Sequence, residues 1–170
     1  MNFLRAVKYV ILAIVLVLVG GFLHYNLPRT AVVQITGTDV KRLDRGSAES
    51  AASRDVRFIS ARSQNGKIWV FRNEDTGWGW PPYFKFDSAT LTAEAQTFAS
   101  EADKPWVLVR YYGWRIDIFS LFPNAISLKT VDRDYTNIPI FNIIVLLVLA
   151  GIAFFVWRLM ARVADKIDPD

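Results

Sequence analysis

Residues 138–157 read IPIFNIIVLLVLAGIAFFVW, a run without charge whose one strongly polar side chain is Asn142. At about 1.5 Å of rise per residue, a helix of this length matches a hydrocarbon core about 30 Å thick. A second uncharged run, YVILAIVLVLVGGFL, occupies residues 9–23, and Tyr25 and Leu27 complete it at the water interface. A soluble chain of 170 residues has too little core to surround two helices that are apolar on every side. The two runs predict transmembrane helices, and they set the domain organisation. A cytoplasmic tail and the first span take 1–27, and a β-rich outer domain takes 28–136. The second span takes 137–158, and a second cytoplasmic tail takes 159–170.

The first run also has the basic start (Arg5, Lys8) and apolar centre of a secretory signal. A cleavage site needs small residues after that centre. His24-Tyr25-Asn26-Leu27-Pro28 is bulky, so the run is expected to stay as an anchor. Basic residues flank both runs on the tail side, with Arg5 and Lys8 before the first and Arg158, Arg162 and Lys166 after the second. Positive flanks stay in the cytoplasm, which places both termini there and 28–136 outside. The outer segment carries 15 Lys and Arg against 13 Asp and Glu, a net charge of +2. Such balance does not suit a polyanion binder, so nucleic acid is not expected as a partner. There is no cysteine, which excludes disulfides, thiolate metal sites and cysteine nucleophiles.

Pro28 stops the first helix, and 30–43 follows as a Val-, Ile- and Thr-rich strand with a bulge expected at Gly37. Residues 44–53, made of Ser, Ala, Gly and charges, read as a solvated loop. Strands at 56–63 and 67–73 flank Gln64-Asn65-Gly66, where Asn-Gly is a strong hairpin signal. Ile68, Trp69, Val70 and Phe71 are all apolar, so both faces of that strand are expected to be covered. The aromatic segment 74–86 leads to a short helix at 88–102, with Leu91, Ala95, Phe98 and Ala102 at helical spacing and Asp87 or Ser88 as its cap. Strands at 106–112 and 125–131 close the domain, and Trp114, Ile116 and Ile118 alternate with Arg115, Asp117 and Phe119 in between. The order strand, strand, strand, helix, strand, strand is that of the OB-fold. The fold class is therefore a membrane-anchored α+β protein, two transmembrane helices flanking a small OB-like barrel or sheet with one helix. It has five strands, or six if 106–119 is two of them.

Four blocks have unusual composition. They are Asn73-Glu74-Asp75-Thr76-Gly77-Trp78-Gly79-Trp80, Tyr83-Phe84-Lys85-Phe86-Asp87-Ser88, Arg110-Tyr111-Tyr112-Gly113-Trp114-Arg115 and Phe119-Ser120-Leu121-Phe122-Pro123-Asn124. Through them the whole chain resembles a bacterial family of two-span inner-membrane proteins known as a domain of unknown function. The resemblance implies the two-span topology with a periplasmic domain, and it implies no activity, cofactor or catalytic residue.

Trp78, Trp80, Tyr83, Phe84 and Phe86 fall within nine residues. Three readings are open: core under the helix, a dip into the headgroup layer, or a docking patch for a partner. Arg110, Tyr111, Tyr112, Trp114 and Arg115 form a second cluster, which could hold an anionic or planar ligand. The plainer reading, favoured here, is strand pairing with snorkelling arginines, the strand being bulged at Gly113. Glu74, Asp75 and Asp87 are oxygen ligands without the spacing of a known metal loop. His24, the one histidine, has no catalytic serine motif near it and would need another chain to hold haem. No metal, cofactor or catalytic residue is expected. On the spans, Ala13, Gly20 and Gly151 are small enough for close helix packing, and Asn142 can hydrogen-bond another helix in lipid. No charge lies inside either span, which argues against a channel or transporter acting alone.

The function expected is that of a non-enzymatic accessory or scaffold protein of the inner membrane. Its periplasmic domain would dock on a larger membrane complex or an envelope partner, with membrane lipid around the anchors. One alternative is a small-ligand or cation sensor using the face of strands two and three, with Arg57, Arg62, Lys67, Trp69 and Arg72. Another is an enzyme acting through Glu74, Asp75 or Asp87.

Overall fold

The computed structural model describes residues 2–43 and 54–167, so the solvated loop expected over 44–53 lies outside the described residues. The chain forms two compact units, Met1–Tyr135 and Thr136–Asp170. The first begins with helix α1 (Asn2–Asn26). Pro28 forbids its continuation, and the last turn is closed by Leu27 N–H donating to Leu23 O at 2.7 Å and by Asn26 Nδ2 donating to Phe22 O at 2.7 Å. Five strands follow: β1 (Arg29–Leu43), β2 (Arg54–Ser63), β3 (Ile68–Asn73), β4 (Val107–Tyr112) and β5 (Asn124–Thr130). Helix α2 (Ser88–Ser100) lies between β3 and β4. The second unit contains helix α3 (Ile140–Ile167). The segments Arg5–Asn26 and Ile140–Arg162 are each long and apolar enough to cross a membrane, and neither is buried as the core helix of a soluble protein would be.

The strands close into a barrel in the order β1-β2-β3-β5-β4. β1 makes this possible by pairing twice. Its first residues pair with β4 (Arg29 opposite Tyr111, Val33 opposite Val107), and the rest pair with β2 (Val33 opposite Ser63, Leu43 opposite Arg54). The register slips between Ile35 and Gly37, where Thr36 is the extra residue, so the expected bulge is present beside Gly37. Bulges bend a strand, and this bend lets one strand serve both neighbours. β3 and β5 run parallel at Arg72 and Asn124, and every other pairing is antiparallel. The five-stranded OB-like reading fits this topology.

The core is the barrel interior: Val33 and Ile35 of β1, Ile59 and Ala61 of β2, Phe71 of β3, Val107, Val109 and Tyr111 of β4, and Ala125 of β5. α2 adds Leu91 and Ala95, with Phe98 packed at the edge of the same cluster. Trp69, Phe71 and Tyr111 pack ring on ring at centroid distances of 5.2–5.7 Å.

The β2–β3 hairpin turns through Gln64-Asn65-Gly66 as expected, with Gly66 N–H donating to Ser63 O at 2.9 Å and Gly66 at φ 81°. Two local expectations need correction. Ile68 on the outer face of β3 is exposed, so one face of that strand is covered, not both. Residues 114–119 are not a sixth strand. Gly113 (φ 88°) turns the chain off the barrel, and a 3-10 turn at Asp117–Phe119 follows, closed by a single bridge between Ile116 and Leu121. The alternation was real, but no neighbouring strand stands beside it to pair.

Candidate functional site

The aromatic segment after β3 is built around an inverted residue. Lys85 is 4% exposed and its ammonium points inward, donating to Asn73 Oδ1 and to Ala125 O. Asn73, itself buried, donates from Nδ2 to Ser88 O at 2.8 Å and to Thr92 Oγ1 at 2.9 Å. One buried amide thus ties β3, the loop and α2 together. Lys85 O accepts from the N–H groups of Thr76 and Gly77 at 3.1 and 3.0 Å, and Lys85 N–H donates to Thr76 Oγ1 at 3.1 Å. Asp75 accepts from Ser88 N–H and Ser88 Oγ, both at 2.8 Å, and so serves the first turn of α2. Burial pushes the Lys85 ammonium down to about 8, against the pull of Asp75, Asp87 and Glu74.

With Lys85 inside, its neighbours Phe84 and Phe86 stand outside. They are 54% and 57% exposed, and Trp78, at 85%, packs on both at 5.4 and 5.7 Å. Phe84 adopts φ 50°, a left-handed conformation that costs a non-glycine residue about 1–2 kcal/mol. Of the three readings open for this segment, core under the helix is therefore excluded for Trp78, Phe84 and Phe86. Pro81 and Lys85, not the aromatic residues, are the groups that the loop buries.

Trp80 and Tyr83 go elsewhere, onto the end of α1. Trp80 stacks on Phe22 with centroids 5.8 Å apart and donates from Nε1 to Asn26 Oδ1 at 2.7 Å. Tyr83 donates its hydroxyl to Asn26 O and packs on Tyr112 at 5.0 Å. Burial pushes the Tyr83 hydroxyl up to about 12, with the nearby Arg110 guanidinium pulling the other way, and it raises Tyr112 as well.

The second predicted cluster is divided by Gly113. Arg110 and Tyr112 lie on the outer face of β4, while Tyr111 faces the core with its hydroxyl raised by burial. Trp114, beyond the turn, leans on α1. It meets Tyr25 edge-on at 5.4 Å and donates from Nε1 to His24 Nδ1 at 2.7 Å. Arg115 lies 3.9 Å over the Phe122 ring, donates to Leu121 O at 3.0 Å and pairs with Asp117 at 2.6 Å. Phe122 in turn packs edge-on against Phe58 of β2 at 5.1 Å. The bulge in this region is on β5, where Ile126 is the extra residue opposite Arg110 and Tyr111. Trp80 and Trp114 together form a collar at the last turns of α1, which composition alone does not reveal. The signal that could have exposed it is the polar tip His24-Tyr25-Asn26, which has the partners that two indole N–H groups require.

The remaining candidates do not converge. Glu74 pairs with Arg72, Asp75 serves α2 and Asp87 is exposed. No group of three or more His, Asp or Glu side chains able to hold a metal occurs among the described residues. Of the cationic face on β2 and β3, Lys67 covers Trp69 at 4.8 Å, Arg72 is turned to Glu74, and Arg57 and Arg62 stay on the surface. On the apolar helices, Ala13 and Gly20 lie on α1. Gly21 is the small residue that meets a neighbour, the Trp114 ring. Asn142 lies in the first turn of α3 and Gly151 near its middle.

Fold and site together define an α+β protein with a closed, OB-like five-stranded barrel and a long apolar helix on each side of it in sequence. The chain belongs to the DUF1523 family, described as protein of unknown function, which matches residues 4–164. It is similar to an uncharacterized protein of Haemophilus influenzae, 42% identical over 135 residues that cover 74% of this chain and 76% of that protein. No solved structure matches it.

Proposed function

We propose that this protein is a non-enzymatic accessory protein of the bacterial inner membrane whose periplasmic barrel docks a membrane or envelope protein through Trp78, Phe84 and Phe86. In this reading α1 and α3 cross the bilayer and both termini are cytoplasmic. The basic flanks Arg5, Lys8, Arg158 and Arg162 support that orientation. Trp80 and Trp114, at the end of α1, are amphipathic rings of the kind that settle at a bilayer interface, and they would seat the barrel there. Catalysis has no place in it, since two of the three candidate carboxylates already serve Arg72 and Ser88.

The observation that carries the docking is the outward display of three rings on a backbone pinned by Lys85. Full burial of such a ring is worth roughly 1.5–3 kcal/mol, and in the free protein half or more of each ring's surface stays exposed. Rings already held in place bind with little further ordering cost, and aromatic anchors dominate the energetics of protein interfaces. The test puts a photoreactive residue at position 84 of the full chain in intact cells, with Thr97 on the exposed side of α2 as control. A discrete protein adduct is expected from 84 and none from 97. It should vanish in a Trp78→Ala/Phe86→Ala variant of unchanged melting temperature. Adducts to lipid alone, or equal protein adducts from both positions, contradict the reading.

A further inference from the structure

We propose that a cup beside the end of α1 binds the phosphate of an anionic phospholipid, one of whose acyl chains lies along α1 between Trp80 and Trp114. The inference rests on the membrane placement proposed above and is independent of the protein docking.

The cup has a volume of about 370 Å³, and Arg29, Lys67 and Arg115 stand around it over the rings of Trp69, Tyr111 and Trp114. No carboxylate lines it. Arg29 lies 5.2 Å over the Tyr111 ring and donates one N–H to Gly113 O, while its Nε is covered and has no acceptor. Lys67 lies over Trp69 and has no ion pair among the described residues. Arg115 shares its charge with Asp117 on the exposed loop. Two cations and a shared third, with no acid in the wall, select an anion with several oxygens, and guanidinium groups suit phosphate.

A groove of about 590 Å³ adjoins the cup, lined by Val17, Leu18, Gly21 and Phe22 of α1 and flanked by Trp80 and Trp114. Trp114 is a wall of both. Val17 and Gly21 are four apart and share one helix face, and Gly21 leaves the floor low where the Trp114 ring approaches, 3.9 Å from where a Cβ would stand. Only Leu27 and Pro28 separate α1 from β1, so the cup at Arg29 sits where α1 would leave the hydrocarbon. A free phosphate would use the cup and gain nothing from the groove. A phospholipid uses both, its charge among the cations and its chain against the apolar face of α1.

The test uses the full chain in detergent, observed by native mass spectrometry. The arms are phosphatidylglycerol, phosphatidylcholine with the same acyl chains, and inorganic phosphate. Retention of phosphatidylglycerol is expected to exceed that of phosphatidylcholine, and to fall about fivefold for each cation reversed in Lys67→Glu and Arg115→Glu. Both residues are at the surface, and the melting temperatures of the variants check that they keep the fold. Trp114→Ala should weaken both lipids alike. Equal retention of the two lipids, a preference unchanged in the double charge variant, or inorganic phosphate binding as tightly as the lipid each overturns the proposal. A chain that sediments with membranes yet shows no lipid preference defeats this inference alone. A chain recovered in the soluble fraction defeats the membrane placement beneath both proposals.

Discussion

Two loops of the same barrel, residues 74–86 and 113–123, carry five and three aromatic residues and bury different groups. The first turns a lysine inward and leaves Trp78, Phe84 and Phe86 in the open. The second folds Phe122 down on Phe58 and Trp114 onto α1, and exposes the aliphatic and aromatic tip Ile118-Phe119 beyond them. Aromatic content therefore does not decide whether a segment is core. What decides is which backbone groups the segment must satisfy. In the first loop a buried amide and a strand carbonyl capture an ammonium, and the rings take the positions left over. In the second, Phe122 packs on Phe58 beneath the Arg115 guanidinium.

The comparison breaks most easily at Asn73. Asn73→Ala removes an acceptor from a buried ammonium and two bonds to α2, and should cost about 3–4 kcal/mol in chemical denaturation. A loss below about 1 kcal/mol would mean that the pin is not what holds the first loop.

The next effect is a pH dependence. Lys85 is pushed down to about 8 in the folded protein from an ordinary 10.5. Between these values the unfolded chain carries a proton that the folded one lacks, so stability rises with pH across this window. Up to about pH 10 the gain should be about 2 kcal/mol. Tyr83, Tyr111 and Tyr112 act in the opposite sense. Their raised values keep them protonated when the unfolded hydroxyls ionise, so stability falls above about pH 10. Thermal unfolding across pH 7–11 reads this dome as approximate bounds, and Lys85→Met should flatten its rising side.

Smaller effects sharpen the contrast between the two loops. Trp114→Ala gives up its packing on Tyr25 and its bond to His24, and should destabilise by about 1–2 kcal/mol. Phe84→Gly relieves a left-handed conformation but adds unfolded-state entropy and gives up the Trp78 contact, and should leave stability within about 1 kcal/mol of the parent. Trp78→Ala should move stability by no more than about 0.5 kcal/mol, as a ring in the open does. Equal losses at Trp78 and Trp114 in the same denaturation assay would erase the distinction drawn here.

Much of the barrel was legible because its signals are local. The β-branched run at 30–43, the turn at Asn65-Gly66, the helical spacing from Leu91 to Phe98 and the bulge beside Gly37 each depend on neighbours in sequence. The parts that escaped depend on distant ones. Lys85 points inward because Ala125 O, forty residues on, accepts from it, and nothing in Tyr83-Phe84-Lys85-Phe86 records that carbonyl. The alternation at 114–119 resembles a strand, but β5 already occupies the place beside β3 that a sixth strand would need. The collar around α1 unites Asn26 with Trp80 and His24 with Trp114, pairs 54 and 90 residues apart. The cup likewise unites the starts of β1 and β3 with the turn after β4, a product of barrel closure.

Covalent footprinting of Trp78, Phe84 and Phe86 in three states reads whether a protein partner covers these rings. These are the purified full chain in detergent, the same chain in vesicles of lipid alone, and the chain in native membranes. The account predicts heavy labelling of all three rings in detergent and in lipid alone, and protection only in native membranes, where the partner is present. Protection by lipid alone, or labelling in native membranes as heavy as in detergent, would contradict it.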